Sequence, residues 1–218
     1  MINMKIATVI GTRPQYIKYY PIHYLLNKYF EEVLIDTNQH YDENMSGIFY
    51  KELGIKRPDY NIKATDSGFG TQLGDMLRGI EDVLRCENPD AVIVFGDTNS
   101  TLAGAIVGAR LGLPVFHIES GLRSFNRFMP EEQNRIVADC LSSLLFCPTQ
   151  IAVNNLKAEG ITDGVHCVGD VMQEATSMAY ERASLSSHIL DQFGLEKKQF
   201  LLLTFHRAEN TGDDYQTC

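Results

Sequence analysis

Acidic residues that could act as general acids or bases follow short apolar runs of this sequence. Asp97 follows AVIVFG, Glu119 ends VFHIE, and Glu131 and Glu132 follow Pro130. Carboxylates interspersed with arginines suit an anionic substrate whose reaction uses acid and base groups. These residues therefore predict an enzyme site, although their spacing does not name the reaction.

Basic residues accompany the first of these runs. In GTRPQYIK, Gly11 allows a tight turn and Pro14 suits the first turn of a helix, whose free N–H groups can bind an anion. Arg13 and Lys18 add positive charge to this turn. The segment is neither a P-loop nor G-x-G-x-x-G, so it predicts a phosphate or pyrophosphate site and gives no support to a nicotinamide dinucleotide.

The carboxylates also have simpler interpretations. Asp97 could cap the helix that follows it, and PEEQNR could be a capped helix with an i,i+4 pair between Glu131 and Arg135. The two-residue period of a strand predicts that His117 and Glu119 lie on the same side.

A carboxylate at a strand end needs a partner or a function. For Glu119, the nearby Arg123 and Arg127 are the expected partners, because both follow it within a few residues.

The scaffold that positions these residues can be predicted from the apolar runs. Such runs, apolar throughout, are typical of strands buried on both faces of a parallel sheet. They are residues 5–10, 32–37, 91–97, 115–120, 144–149 and 166–170. Helical patterns separate them, so the chain predicts a doubly wound, Rossmann-like α/β domain over residues 1–170, with ligands at the carboxyl ends of the strands.

Composition excludes several classes of protein. The net charge of −9 argues against a nucleic-acid or anionic-membrane partner, and no stretch approaches the ~20 apolar residues of a membrane span. The five cysteines have no C-x-x-C spacing, which predicts buried, reduced thiols rather than a disulfide framework. We therefore expect a cytoplasmic protein.

Six motifs occur in a fixed order: GTRPQYIK, NQH, GDTNST, HIESGLRS, MPEEQNR and HRAEN. Together they resemble the UDP-N-acetylglucosamine 2-epimerase family, from Lys5 to Asn210. The resemblance implies the N-terminal half of a glycosyltransferase B-type fold, a UDP-sugar substrate, no metal or redox cofactor, and a homodimer. It implies interconversion of UDP-GlcNAc and UDP-ManNAc by elimination of UDP to 2-acetamidoglucal, followed by UDP addition.

The resemblance also implies roles for individual residues. The residues expected to transfer protons or to stabilise the cationic transition state are Asp97, Glu119 and Glu131, with His206 near the departing diphosphate. The residues expected to contact the UDP-sugar are Arg13, Lys18, His40, Arg123 and Arg135.

Two positions depart from many relatives, which have glutamate at Gln15 and alanine at Ser120. The RPQ and GLRSFNR forms resemble the branch that acts on UDP-2,3-diacetamido-2,3-dideoxyglucuronate, so that substrate is an alternative. Further alternatives are a hydrolysing UDP-GlcNAc 2-epimerase, a nucleotide-sugar glycosyltransferase and a non-catalytic interaction module.

The end of the chain carries an expectation of its own. We predict a helical linker over residues 171–198 and a strand over 199–205, which would begin a second Rossmann-like domain within residues 199–218. Relatives continue through a whole second domain that supplies most uridine and diphosphate contacts. The 218-residue chain is therefore expected to be a fragment with little activity, and its tail, residues 212–218, to be disordered.

Overall fold

A computed structural model describes residues 4–37, 50, 52–65 and 67–204. Its strands are β1 Lys5–Ile10, β2 Glu31–Asp36, β3 Tyr60–Asn61, β4 Ala91–Phe95, β5 Val115–Ile118, β6 Leu144–Cys147 and β7 Val165–Cys167. Its helices are α1 Arg13–Tyr29, α2 Phe69–Glu87, α3 Asn99–Arg110, α4 Pro130–Leu141, α5 Gln150–Ala158, α6 Val171–Ser186 and α7 Ile189–Phe193.

The strands form one parallel sheet in the order β3-β2-β1-β4-β5-β6-β7. Six of the seven strands coincide with the predicted apolar runs, and the doubly wound α/β fold is confirmed. The two-residue strand β3 was missed because its Tyr-Asn sequence has no apolar run.

Helices cover both faces of the sheet. On one face, Met76 of α2, Ala103 of α3 and Ala138 of α4 belong to one buried cluster with alternate residues of β1, β2, β4 and β5. On the other face, Tyr16 and Tyr19 of α1 pack with the intervening residues of β1, β2 and β4. Strands buried on both faces explain why their sequences are apolar throughout.

The strand order reverses between β1 and β4, because the chain winds outward in one direction from β1 and in the other from β4. Helix α1 follows β1 on one face and α3 follows β4 on the other, so a crevice opens at their carboxyl ends. The turns after β1, β4 and β5 meet at this crevice, and two of them carry the predicted site residues Asp97 and Glu119.

The end of the chain differs from the prediction. Residues 171–198 contain α6 and α7, but residues 199–204 form no strand, and Leu201, Leu202 and Leu203 are 83–100% exposed. The predicted strand does not form over these residues, because no neighbouring strand pairs with them in the described part of the chain. The chain divides into two compact units, Met1–Met178 and Ala179–Cys218, and the predicted domain boundaries stay a prediction.

The structure also tests the predictions made for the cysteines and for a membrane-spanning helix. Cys147 is buried, whereas Cys86, Cys140 and Cys167 are exposed, so the prediction of buried thiols is wrong for those three. Neighbouring apolar residues in the sequence did not enclose them, since each lies at or near the end of its helix or strand. Among the described residues, no helix is both long and apolar enough to span a membrane.

Candidate functional site

Two carboxylates lie at adjacent strand ends, and each forms an ion pair with a cation from a helix. Asp97, two residues beyond β4, accepts a hydrogen bond from Nη2 of Arg135 on α4. Glu119, directly after β5, accepts a hydrogen bond from Nζ of Lys18 on α1. Four predicted site residues, distant in sequence, thus meet at the crevice as two charge-assisted pairs.

The surroundings of Glu119 differ from the prediction. Glu119 forms its ion pair with Lys18, and not with the expected partners Arg123 and Arg127. Nor does Glu119 share a side with His117, because β5 ends at Ile118 and Glu119 has a φ of 70°. That left-handed turn breaks the alternation of the strand and directs Glu119 toward α1, whereas His117 faces α4.

Gly96 makes room for the Lys18–Glu119 pair. Its φ is 63°, and a Cβ at this position would lie 2.8 Å from Nζ of Lys18 and 3.0 Å from Oε2 of Glu119. A side chain here would both strain the backbone and displace the ion pair.

Asp97 does not cap the helix that follows it. The N-cap of α3 is Thr98, whose hydroxyl accepts a hydrogen bond from the N–H of Thr101. The carbonyl of Asp97 instead accepts a hydrogen bond from the Asn134 side chain at 2.9 Å. Helix α4 thereby binds both the backbone and, through Arg135, the side chain of Asp97.

The two glutamates at the start of α4 have different environments. Glu131 is exposed, and the expected i,i+4 pair with Arg135 does not form; Arg135 instead pairs with Glu132, with its Nη1 3.2 Å from Oε2. Glu132 is buried and accepts hydrogen bonds from the N–H groups of Ser124 and Phe125 at 2.8 and 3.0 Å. Burial alone would raise the pKa of Glu132, but these bonds hold it below its usual value.

Arg123 belongs to a buried network rather than to the crevice. Its guanidinium forms a bidentate pair with Glu159, at 2.7 Å for both bonds, and donates to Oδ2 of Asp139 at 2.7 Å. Its side chain is 1% exposed. The structure gives no support to a substrate contact by Arg123, because four of its five N–H donors bond to other residues of the chain and its side chain is covered.

His117 lies at the centre of the same network. The ring is buried, with Nδ1 2.7 Å from Oδ1 of Asp139 and Nε2 2.7 Å from the carbonyl of Gly96. Burial would raise the pKa of Asp139, but hydrogen bonds and charges from His117 and Arg123 hold it below its usual value. The sequence placed His117 beside the site but gave no signal of Asp139 as its partner.

The turn after β1 holds its own buried side chain. Gln15 Oε1 accepts from the N–H of Thr12 at 3.2 Å, and its Nε2 donates to the carbonyl of Phe95 at 3.0 Å and to Thr101 Oγ1 at 3.1 Å. Glutamate could not make these two donations. Gln15 therefore links the turn after β1 to the turn after β4. The sequence showed only that many relatives have glutamate at this position, and it did not predict this link.

The remaining predicted residues are less well defined by the structure. Arg13, in the first turn of α1, is exposed, and its side chain makes no hydrogen bond or ion pair with the residues that the structure describes. His40 and His206 lie outside the described residues. The structure therefore brings together Lys18, Asp97, Glu119 and Arg135. Arg13 and Glu131 are exposed in the first turns of α1 and α4, the helices that carry Lys18 and Arg135.

A cavity of about 670 Å³ adjoins Glu119. Its walls are mostly apolar and come from α1, the ends of β5, β6 and β7, and the start of α6, including Ile22, Ile118, Phe146 and Val168. Within the described ranges, no group of three or more His, Cys, Asp or Glu side chains could hold a metal ion. The crevice itself offers the two carboxylate–cation pairs, Asp97 with Arg135 and Glu119 with Lys18.

Known proteins share this architecture and sequence. The family model described as UDP-N-acetylglucosamine 2-epimerase matches residues 25–217. A UDP-N-acetylglucosamine 2-epimerase homolog of Methanococcus maripaludis is 48% identical over 209 residues, which are 95% of this chain and 58% of the relative. The UDP-2,3-diacetamido-2,3-dideoxy-D-glucuronate 2-epimerase of Pseudomonas aeruginosa is 46% identical over 215 residues, covering 96% of this chain and 59% of that enzyme.

A solved structure agrees with these sequence matches. The UDP-GlcNAc 2-epimerase of Methanocaldococcus jannaschii, in complex with UDP-GlcNAc and UDP, superposes with a TM-score of 0.84 at 46% identity. The match covers 88% of this chain and 53% of that chain, so this chain spans little more than half of the solved enzyme. From the family model and these identities, the chain belongs to the UDP-N-acetylglucosamine 2-epimerase family.

Proposed function

We propose that this chain provides the carboxylate side of a UDP-GlcNAc 2-epimerase site. The observation that carries the proposal is the pair of adjacent strand ends where Asp97 and Glu119 are each held by a cation, Arg135 and Lys18. Two oriented carboxylates beside a crevice suit a reaction that removes a proton and passes through a positively charged sugar ring.

The proposed reaction begins with departure of UDP, because the hydrogen on C2 of the sugar is not acidic. The C1–O bond breaks and its electron pair leaves with the diphosphate, while a carboxylate accepts the C2 proton and the C1–C2 double bond of 2-acetamidoglucal forms. Return of a proton to the other face of C2 and of UDP to C1 gives UDP-ManNAc. We assign the proton transfers to Asp97, Glu119 or the exposed Glu131, and the diphosphate contacts to Arg13 and His206.

A second substrate has a specific observation in its favour. The Pseudomonas aeruginosa enzyme named for UDP-2,3-diacetamido-2,3-dideoxy-D-glucuronate is about as similar to this chain as the archaeal UDP-GlcNAc enzymes are. Gln15 does not favour either substrate by contact, since it is fully buried and bonded to backbone and Thr101. The two UDP-sugars should therefore be tested in parallel.

The test must restore the part of the relatives that this chain does not match. A hybrid protein would join residues 1–204 to the C-terminal portion of the M. jannaschii enzyme, which is 46% identical over the matched region. In heavy water with UDP-GlcNAc we expect UDP-ManNAc and deuterium at C2. We expect little or no turnover by the 218-residue chain alone.

Variants separate the proposed roles from general damage. Asp97→Asn and Glu119→Gln should each reduce the rate by at least about 100-fold, because each removes a proton-transfer or electrostatic group. Asp163→Asn is the control, since Asp163 is exposed beyond α5. The proposal would be contradicted if the unmodified hybrid left C2 without deuterium, or if D97N and E119Q were as active as D163N.

The same assay distinguishes the alternatives. Free ManNAc with UDP indicates a hydrolysing enzyme, UDP release that depends on an acceptor indicates a glycosyltransferase, and no UDP-sugar binding favours an interaction module. Cytoplasmic location and a homodimer are further proposals, which rest on the composition and on the family resemblance.

A further inference from the structure

We propose that His117 and Asp139 form a positioning clamp that fixes the two carboxylate-bearing turns relative to each other. The inference rests on the proposed function, because it assigns Asp97 and Glu119 to the reaction. Neither His117 nor Asp139 is exposed to the crevice: both are at most 1% exposed. They are positioning residues, not catalytic ones.

One arm of the clamp holds the turn after β4. Nε2 of His117 lies 2.7 Å from the carbonyl oxygen of Gly96, which directly precedes Asp97. Gly96 has a left-handed φ of 63° and lies against the Lys18–Glu119 pair. Fixing this peptide group sets the direction in which the chain leaves β4, and hence where the Asp97 side chain meets Arg135.

The other arm holds the turn after β5. Oδ1 of Asp139 lies 2.7 Å from Nδ1 of His117, and its Oδ2 accepts from the N–H of Gly121 at 3.1 Å. Gly121 is two residues beyond Glu119, which has a φ of 70° although it is not glycine. A left-handed non-glycine residue costs free energy, so the surrounding hydrogen bonds must hold it in place.

The clamp is itself anchored. Oδ2 of Asp139 also accepts from Arg123, which in turn binds Glu159 at the end of α5. His117 can bond both acceptors at once only when each ring nitrogen carries a proton. A single buried chain of hydrogen bonds therefore runs from Gly96 through His117 and Asp139 to Gly121.

Two substitutions can open one arm at a time. In His117→Asn the amide nitrogen replaces Nδ1, so the bond to Asp139 can persist while the bond to Gly96 is lost. In His117→Gln the amide nitrogen replaces Nε2, with the opposite result. Thr8→Val is the matched control, because it also removes one buried hydrogen bond, from Thr8 to Glu32 at 2.7 Å, away from both turns.

The first measurement uses the 218-residue chain and NMR. We expect H117N to shift the Gly96 carbonyl and Asp97 carboxylate ¹³C signals, and H117Q to speed amide exchange at Gly121 at least 10-fold, with T8V changing neither. The clamp would be overturned if the ¹³C shifts in H117N and the Gly121 exchange rate in H117Q changed no more than they do in T8V. Should both variants fail to fold, ring ¹⁵N signals of the unmodified chain decide: two protonated nitrogens support the clamp, and one unprotonated nitrogen overturns it.

The second measurement uses the hybrid enzyme described above. A misplacement of about 1 Å can reduce a rate about 100-fold, so H117N should lower kcat by that order with KM changed less than 3-fold. An unchanged kcat would also overturn the clamp. An inactive hybrid with unmodified His117 would instead count against the proposed function, while the NMR result would still decide the clamp.

Discussion

Two short segments of the chain both begin with Leu-Leu and have different structures. LLFC, residues 144–147, forms β6, paired with β5 on one side and β7 on the other, and Leu145 is fully buried. LLLT, residues 201–204, has no strand, and its first residue, Leu201, is 100% exposed. An apolar run becomes a strand only where neighbouring strands pair with its backbone.

The physical reason is that a buried strand needs partners for its N–H and C=O groups as well as for its side chains. In β6 these groups pair with two flanking strands, and the side chains pack on α5, where Ala152 and Leu156 are buried. A strand with exposed edges and faces gains little from burial. Four substitutions, from the largest expected effect to the smallest, test this contrast.

The largest effect is expected at a buried charge beside the sheet. Asp139→Asn leaves Arg123 and His117 without their carboxylate partner, so we expect a loss of about 3 kcal/mol or more in the free energy of unfolding at pH 7. Denaturant titration measures this loss. Asp191→Asn, at a side chain 87% exposed in α7, is the control and should change little.

The pH dependence of the same variant has a definite sign. The pKa of Asp139 is lowered in the folded state, so its contribution is present above its unfolded value of 3.8 and is lost as pH falls through the folded value. The difference between the unmodified chain and D139N should therefore shrink below about pH 4. A difference that stays constant into that range would contradict the assigned pKa direction.

The next effect concerns β6 itself. Leu145→Ala removes a fully buried side chain and should cost about 2–5 kcal/mol, measured as a lower denaturant midpoint with an unchanged slope. A cost under about 1 kcal/mol would mean that the strand is not enclosed as described.

A smaller effect is expected at a glycine that lies against α5, the helix that covers β6. A Cβ on Gly121 would lie 2.5 Å from the carbonyl oxygen of Ala152, and φ is 76°, so Gly121→Ala should cost about 2–3 kcal/mol. Gly160→Ala has a similar φ of 82° with no atom within 4 Å and should cost about 1 kcal/mol. Thermal unfolding of the two variants separates the clash from the backbone strain, and equal losses would contradict the clash.

The smallest effect is expected at the exposed counterpart. Leu202 is 88% exposed, so Leu202→Ala should change the free energy of unfolding by no more than about 0.5 kcal/mol. The measurement is the same denaturant titration as for L145A. A loss of unfolding free energy comparable to that of L145A would show that the leucines at 201–203 are packed. The contrast between β6 and residues 201–204 would then be contradicted.

Much of the site could be predicted before the fold was known. Parallel strands present their carboxyl ends at one edge, so Asp97 and Glu119 were placed together from sequence alone. Their partners could not be predicted, because Lys18 and Arg135 lie 101 and 38 residues away from the carboxylates they bind. Nearness in sequence predicted an ion pair between Arg123 and Glu119, whereas in the structure Arg123 pairs with Asp139 and Glu159.

Sequence alone determined six of the seven strands, the helices between them and the edge at which the polar residues gather. These features depend on local periodicity and on the apolar character of doubly buried strands. Only the tertiary structure decided which carboxylate pairs with which cation and that the His117 side chain points away from Glu119. It also decided that residues 201–204 form no strand. Those outcomes depend on backbone turns such as the left-handed Glu119, and on contacts between distant segments. Neither leaves a periodic signal in the sequence.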